Sequence, residues 1–171
     1  DRTQVLQRLR YLPLTPFRTE YAYTNFGLTA GAQAVANAVG TPWETLSAQR
    51  IYTPLGMDRT TSNYAEFLAM DNRATLHTRQ DGAYRPDEPR DPQAQSPAGG
   101  VSTSAHDMAK WMIMELGQGN YQGQQVVNAA ALQESFQPRM TSSPALLPAQ
   151  RPGQFGYGIN IDTDGTGRMR L

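Results

Sequence analysis

Few residues in this sequence could do chemistry, and the first of them stand together as Tyr23-Thr24-Asn25. A phenol and a carboxamide are both hydrogen-bonding groups that a site or a core can use. The same pair also reads as a buried Tyr and an N-cap, since Asn caps a helix well and a helix is expected over 26–39. The other candidates are weaker. His77 and His106 have no organised carboxylates near them, which makes a poor metal site, and the chain has no Cys. His106 is expected in the first turn of a helix, facing solvent, and His77 in a loop. Gly99-Gly100 lacks the Gly-x-x-x-x-Gly-Lys of a phosphate cradle and reads as a turn. Ser102, Thr103 and Ser104 are capping candidates, because no base is placed beside them. Trp111 with Met108 and Met112 reads as core packing rather than a ligand box. Arg18 could reach an anionic substrate, with a structural ion pair as its default role.

The elements that must position these residues follow from spacing. Val5, Leu6 and Leu9 fall at helical intervals before Pro13 and Pro16. A segment rich in Ala and Gly runs from Asn25 to Val39, and Gly40 supplies a left-handed stop. Thr41 is expected as an N-cap, with Pro42 at the first helical position and Glu44 closing a capping box. Residues 58–100 are polar, with Pro86, Pro89, Pro92 and Pro97 and a turn at Asp81-Gly82, and read as a long irregular loop or several short elements. A loop of that length often lies over a functional site. Ser104 is expected to cap a helix with Asp107 at its third position. The apolar face of that helix is Met108, Trp111, Met112 and Leu116, and Gly117 ends it. A short helix is expected at 129–136 behind Asn128. Phe155, Tyr157, Ile159 and Ile161 alternate as one half-buried strand, Asp164-Gly165 turns the chain, and Met169–Leu171 begin a partner strand. The fold class is therefore mainly α with a C-terminal β-hairpin. The expected division is 1–154 helical and 155–171 the start of a sheet completed from elsewhere, since a lone hairpin is marginal.

Bulk composition bounds the class of function. At 171 residues with 39% hydrophobic content, the chain can bury a core of its own. The 15 basic and 15 acidic residues cancel, and no stretch concentrates positive charge, so no nucleic-acid partner is expected. No apolar run reaches the roughly 18 residues of a transmembrane helix.

Order along the chain carries more than any single motif. Tyr23-Thr24-Asn25 and Gly27 precede a small-residue helix, followed by IYTPLGM at 51–57, SPAGGVSTSAHDMAKWM at 96–112 and FGYGINID at 155–162. This succession, over nearly the whole chain, resembles the middle of the β-lactamase-related serine hydrolases. They include class C β-lactamases, penicillin-binding proteins, D-Ala-D-Ala carboxypeptidases, D-aminopeptidases and esterases. The resemblance implies the helical subdomain of their α/β (α+β) transpeptidase-like fold and cleavage of an amide or ester through a seryl acyl-enzyme. It makes Tyr23 the proton relay and Asn25 the amide that holds substrate. It implies no metal or organic cofactor, and a small-molecule or peptide substrate. It also implies the rest of the parent hydrolase domain as partner, and a periplasmic or secreted setting rather than a cytoplasmic one.

The sequence departs from that family in two places. No Ser has Lys three positions later; the single Lys, Lys110, has Asp107 there, and Ser47-Ala48-Gln49 is followed by Arg50. No Lys-Thr-Gly or His-x-Gly occurs. In the family these motifs precede Tyr-x-Asn and follow the first C-terminal hairpin strand, so an interior segment, inactive by itself, is the expectation. One alternative is a non-catalytic member that binds peptides or cell-wall fragments. Another is an independent helical interaction domain, against which stands the apolar face of the hairpin.

Overall fold

The computed structural model describes residues 1–87 and 90–171; Pro89 of the proline-rich stretch lies outside the described residues. Two compact units form, one from Asp1–Arg10 and Asn25–Met108, the other from Tyr11–Thr24 and Ala109–Leu171.

In the first unit, α1 (Arg2–Arg8) opens on a capping box in which Asp1 accepts from the Gln4 amide and Gln4 reaches back. Arg2 anchors the helix by donating to Gln33 Oε1 (3.2 Å), to the Glu44 carboxylate and to the Gln93 carbonyl (3.1 Å). Helix α2 (Asn25–Val39) ends as its sequence predicts. Gly40 takes φ 73°, and the amides of Gly40 and Thr41 bond back to Asn37 and Ala36, a Schellman closure. Helix α3 (Trp43–Ser47) begins one residue later than expected, with Pro42 in the cap position and no side chain capping it. Glu44 closes no box because it is committed to Arg2 and to Gln93 Nε2. A π-helical turn (Ala48–Tyr52) leads into Thr53–Met57, where Leu55 is 1% exposed.

Of the two forms expected for residues 58–100, the structure has the second, several short elements. Asn63 caps α4 (Tyr64–Ala69) by accepting from the Ala65 and Glu66 amides. Strands β1 (His77–Gln80) and β2 (Ala83–Pro86) pair antiparallel across Asp81-Gly82, both left-handed at φ 50° and 83°. That is the two-residue turn that suits the twist of a hairpin. A 3-10 turn (Gln93–Gln95) then enters α5 (Ser96–Gly99), which packs on α2. The residues are polar because the elements are small and half-wet, and alternation had too few positions in which to show.

Helix α6 (Ala105–Leu116) is capped as expected, the Asp107 amide donating to Ser104 Oγ at 3.1 Å. Its buried stripe keeps Trp111, half-buried, and otherwise differs from the expected one. Asp107 and Met114 are each 1% exposed, whereas Met108, Met112 and Leu116 are 39%, 53% and 84% exposed. The cause is Asp107 itself, whose carboxylate turns inward onto donors from Arg59 and Thr60 and sets the helix's rotation. Gly117 follows the helix, but the left-handed residue is Gln118 (φ 56°). Gly117 is required for space, since a Cβ there would lie 2.6 Å from the Asn120 carbonyl.

In the second unit, β3 (Asn120–Tyr121) and β4 (Gln124–Gln125) form a small hairpin, and Asn128 caps α7 (Ala129–Ser135). Four strands follow in sequence order as one antiparallel sheet: β5 (Met140–Ser143), β6 (Gly153–Phe155), β7 (Asn160–Thr163) and β8 (Met169–Arg170). The single strand expected from Phe155 to Ile161 is two. Gly156-Tyr157-Gly158 reverses the chain, the Gly156 amide donating to the Ile159 carbonyl, and Phe155 pairs with Asn160. A Cβ at Gly156 would collide with the Ser135 carbonyl, so the reversal needs glycine there. Tyr21 meets Phe155 edge-on, ring centroids 5.3 Å apart, tying Tyr11–Thr24 to this sheet. The observed class is thus α+β, with more sheet than a lone hairpin.

The β7–β8 turn gives a pH prediction. Asp164 accepts from the Thr166 hydroxyl (2.6 Å), the Arg168 amide (3.0 Å) and the Thr166 amide (2.9 Å), and these bonds hold its carboxyl below the ordinary aspartate range. Folding favours the charged form, so the contribution is complete above the unfolded aspartate value, near ~3.9, and disappears as pH falls through the lower folded value. Amide exchange at Thr166 and Arg168 should accelerate on acidification below that range, beyond the intrinsic pH trend. Exchange that follows only the intrinsic trend removes Asp164 as the turn's fastening.

Candidate active site

The two residues of the Tyr-x-Asn pair fall in different local settings. Tyr23 is 71% exposed, in the irregular segment that precedes α2. Asn25 is the first helical residue of α2 rather than the residue before it. The chain passes from the second compact unit to the first between Thr24 and Asn25.

Asn25 lines a cavity of about 470 Å³ within the first unit. Its wall carries two rings from α4, Tyr64 and Phe67, stacked with centroids 6.4 Å apart and planes 27° off parallel. The Arg73 guanidinium lies 5.7 Å from the Phe67 centroid, a cation–π contact. Leu76 adds apolar surface, and Arg90 and Asp91 bring one charge of each sign.

The Gly-Gly turn contributes Gly99 to the lining. Ser96, fully buried, donates its hydroxyl to the Ser62 carbonyl, and Thr61 and Ser102 exchange two backbone hydrogen bonds of 2.9 Å. Gly100 sits so close to Ser96 that a Cβ would lie 2.5 Å from the Ser96 Cα. Gly99 lines the cavity, and a Cβ there would meet nothing within 4 Å. Ser102 and Ser104 thus act as bridge and cap, and Thr103 pairs its hydroxyl with Thr60 at 2.7 Å.

Two glutamines on the 90–95 segment contrast. Gln93 is fully engaged: its amide bonds Asp91, its Oε1 accepts from the Tyr64 amide at 2.9 Å, and its Nε2 donates to Glu44 at 2.9 Å. It fastens the segment to α3 and α4. Gln95 also lines the cavity, yet its Oε1 is buried and has no hydrogen-bond partner.

His77 and His106 are not among the residues that line this cavity. His77 is exposed on β1, its Nδ1 2.9 Å from the Thr75 carbonyl, and the His106 side chain is 82% exposed. The Arg18 guanidinium lies over the Phe17 ring, 5.1 Å from its centroid. Among the described residues no cluster of three His, Cys, Asp or Glu could hold a metal, and no helix is long and apolar enough to cross a membrane. Sequence reasoning missed Tyr64, Phe67 and Gln95. The one available signal was Asn63 as a cap, which places Tyr64 and Phe67 one turn apart on the same face.

Comparison with known proteins agrees with the order of motifs. The family model described as Beta-lactamase matches residues 1–169. Beta-lactamase-like protein 4 of Dictyostelium discoideum is 32% identical over 118 residues, which is 69% of this chain and 20% of that protein. The octameric penicillin-binding protein homologue from Pyrococcus abyssi superposes with a TM-score of 0.74 at 19% identity, over 94% of this chain and 34% of that one. The D-amino acid amidase from Ochrobactrum anthropi complexed with D-phenylalanine superposes at 0.67 and 19% identity, covering 92% and 45%. This chain therefore spans less than half the length of each of these relatives. It belongs to the β-lactamase family, whose members are penicillin-binding-protein-like hydrolases.

Proposed function

We propose that this chain is the helical wall and the beginning of the sheet of a serine hydrolase, which opens an amide or ester through a seryl acyl-enzyme. The observation that carries this reading is Asn25 at the head of α2, lining a cavity floored by the Ser96–Ser102 turn, within a family match over residues 1–169. In it Asn25 holds the acyl part of the substrate and Tyr23 relays the proton between nucleophile and leaving group. Strands β5–β8 start the parent's sheet, and the exposed stripe of Met108, Met112 and Leu116 on α6 suits a surface that other parts of the parent cover. Amino-acid amides are the favoured substrates within the family's range, because the amidase relative was solved with D-phenylalanine and with L-phenylalanine amide.

The nucleophile in this reading belongs to a Ser-x-x-Lys, which residues 1–171 do not contain. Incubated with a penicillin or an activated ester, the complete protein gains the mass of an acyl group, and the isolated 171-residue chain gains none. Mass spectrometry reads both. Stable acylation of the isolated chain would place the nucleophile inside it, and a complete protein that is never acylated would end the acyl-enzyme reading.

A further inference from the structure

We infer that Asp81-Gly82, at the tip of the β1–β2 hairpin, is a site of spontaneous backbone modification where aspartate converts to isoaspartate and loosens the hairpin, while the chain's other Asp-Gly pair, Asp164-Gly165, is protected. None of the four residues lines the cavity beside Asn25, so the modification stands apart from the proposed hydrolysis.

The chemistry needs only the chain and water. The Gly82 amide nitrogen attacks the side-chain carboxyl carbon of Asp81 in its protonated form. The carboxyl hydroxyl leaves as water with the amide proton, and a cyclic imide closes. Water then opens the ring at either carbonyl. Addition at the side-chain carbonyl restores aspartate, whereas addition at the main-chain carbonyl leaves isoaspartate, its backbone routed through Cβ and one atom longer. Overall no atom is gained or lost and nothing is oxidised. Glycine suits the attacking position because it places no Cβ beside the nitrogen.

Both glycines are open, since a Cβ on Gly82 or on Gly165 would meet nothing within 4 Å. The two pairs differ in what holds the acid and the peptide bond after it. Asp164 Oδ1 accepts from the Thr166 amide (2.9 Å), the Thr166 hydroxyl (2.6 Å) and the Arg168 amide (3.0 Å), and the Asp164 carbonyl accepts from the Gly167 amide (3.0 Å). These bonds favour the carboxylate, whose oxygen is a poor leaving group, and keep the Gly165 peptide from rotating onto it. Among the described residues, by contrast, the Asp81 side chain has no hydrogen bond or ion pair, and neither its carbonyl nor the Gly82 amide joins a backbone hydrogen bond. Every residue of β1 and β2 is exposed, so pairing across the turn is what holds the hairpin. A two-residue turn fits the strand twist only at its own length, and an unpacked hairpin is marginal. An extra main-chain atom at residue 81 therefore unseats the pairing of Gln80 with Ala83 and the pairs behind it.

To test this, the 171-residue chain is held for weeks in warm neutral buffer made with oxygen-18 water, and its peptides are mapped by mass spectrometry. Each ring opening leaves one heavy oxygen at the residue, and the isoaspartyl peptide separates from its aspartyl twin by chromatography. Label and isoaspartate should accumulate at residue 81 at least about 10-fold faster than at residue 164, the weight of one hydrogen bond to a charged group. In the urea-unfolded chain the two sites should react at similar rates. Thr166→Ala, which takes the hydroxyl from Asp164, should speed the second site several-fold and leave the first unchanged. In the purified isoaspartyl chain, amides of β1 and β2 should exchange faster, with those around Leu55 unaltered. No isoaspartate at residue 81, equal rates in the folded chain, or a difference that survives unfolding overturns the site. A Thr166→Ala chain with no gain at residue 164 overturns the protection, and unchanged exchange in β1 and β2 overturns the loosening.

Discussion

In the complete hydrolase, Tyr23→Phe should lower the rate of acyl-enzyme formation by about 100-fold or more, the range in which a positioned acid–base group contributes. The ring stays and only the hydroxyl goes, so shape and packing are conserved. Tyr23 is 71% exposed, so removing its oxygen opens no cavity and costs little folding stability. A free phenol titrates near ~10 and relays protons near neutrality only where cationic neighbours favour the phenolate. In the proposed mechanism the Lys of the parent's Ser-x-x-Lys supplies that charge. The loss should therefore fall on the acylation rate constant in single-turnover experiments, with ground-state affinity nearly constant. A hundredfold corresponds to roughly 2.7 kcal/mol of transition-state stabilisation. Acylation at an unchanged rate removes Tyr23 from the mechanism, whereas a loss confined to affinity makes it a binding residue.

What could be read from the residues alone was local. Caps at Ser104 and Asn128, the Gly40 closure and the Asp81-Gly82 turn depend on neighbouring residues only, and each is present. Errors arose where distant partners decide. Of the expected apolar stripe of α6, Trp111 is half-buried but Met108, Met112 and Leu116 are exposed, and the acid at 107, bonded across 48 residues in sequence, takes the buried side. The alternation from Phe155 to Ile161 looked continuous because the pattern ignores where a carbonyl such as that of Ser135 blocks any residue but glycine. Strand β5, Met-Thr-Ser-Ser, lacked an apolar pattern, and its place comes from pairing with β6. The candidate site divides the same way. Asn25 was singled out from the order of motifs, and the cavity it lines could not be, since its wall joins α4 to the 90–95 segment through Gln93.

The buried carboxylate of Asp107 should prove the costliest side chain in the first unit to remove. It is 1% exposed and its Oδ2 accepts from the Arg59 amide at 2.8 Å and the Thr60 hydroxyl at 2.9 Å. His106 Nδ1, 3.8 Å from Oδ1, adds little, because the His106 side chain is 82% exposed. Exchanging a whole buried polar group for apolar atoms is sometimes neutral, but that requires removing every partner. Here one partner is a backbone N–H that no substitution of Arg59 deletes. Asp107→Ala leaves the Arg59 amide unpaired and the Thr60 hydroxyl with Thr103 alone, and should cost about 3 kcal/mol, the sum of two lost charge-assisted bonds less the relieved desolvation of the charge. Asp107→Asn keeps one acceptor for both donors and should cost roughly half as much. The two tryptophans make the effect local, since Trp43 lies in the first unit and Trp111 in the second. In single-tryptophan variants unfolded by urea, the Trp43 transition should move to lower denaturant with its slope unchanged. If Asp107→Ala shifts that midpoint no further than an ordinary surface substitution, within about 0.5 kcal/mol, the rotation of α6 is set by its apolar packing and not by the acid.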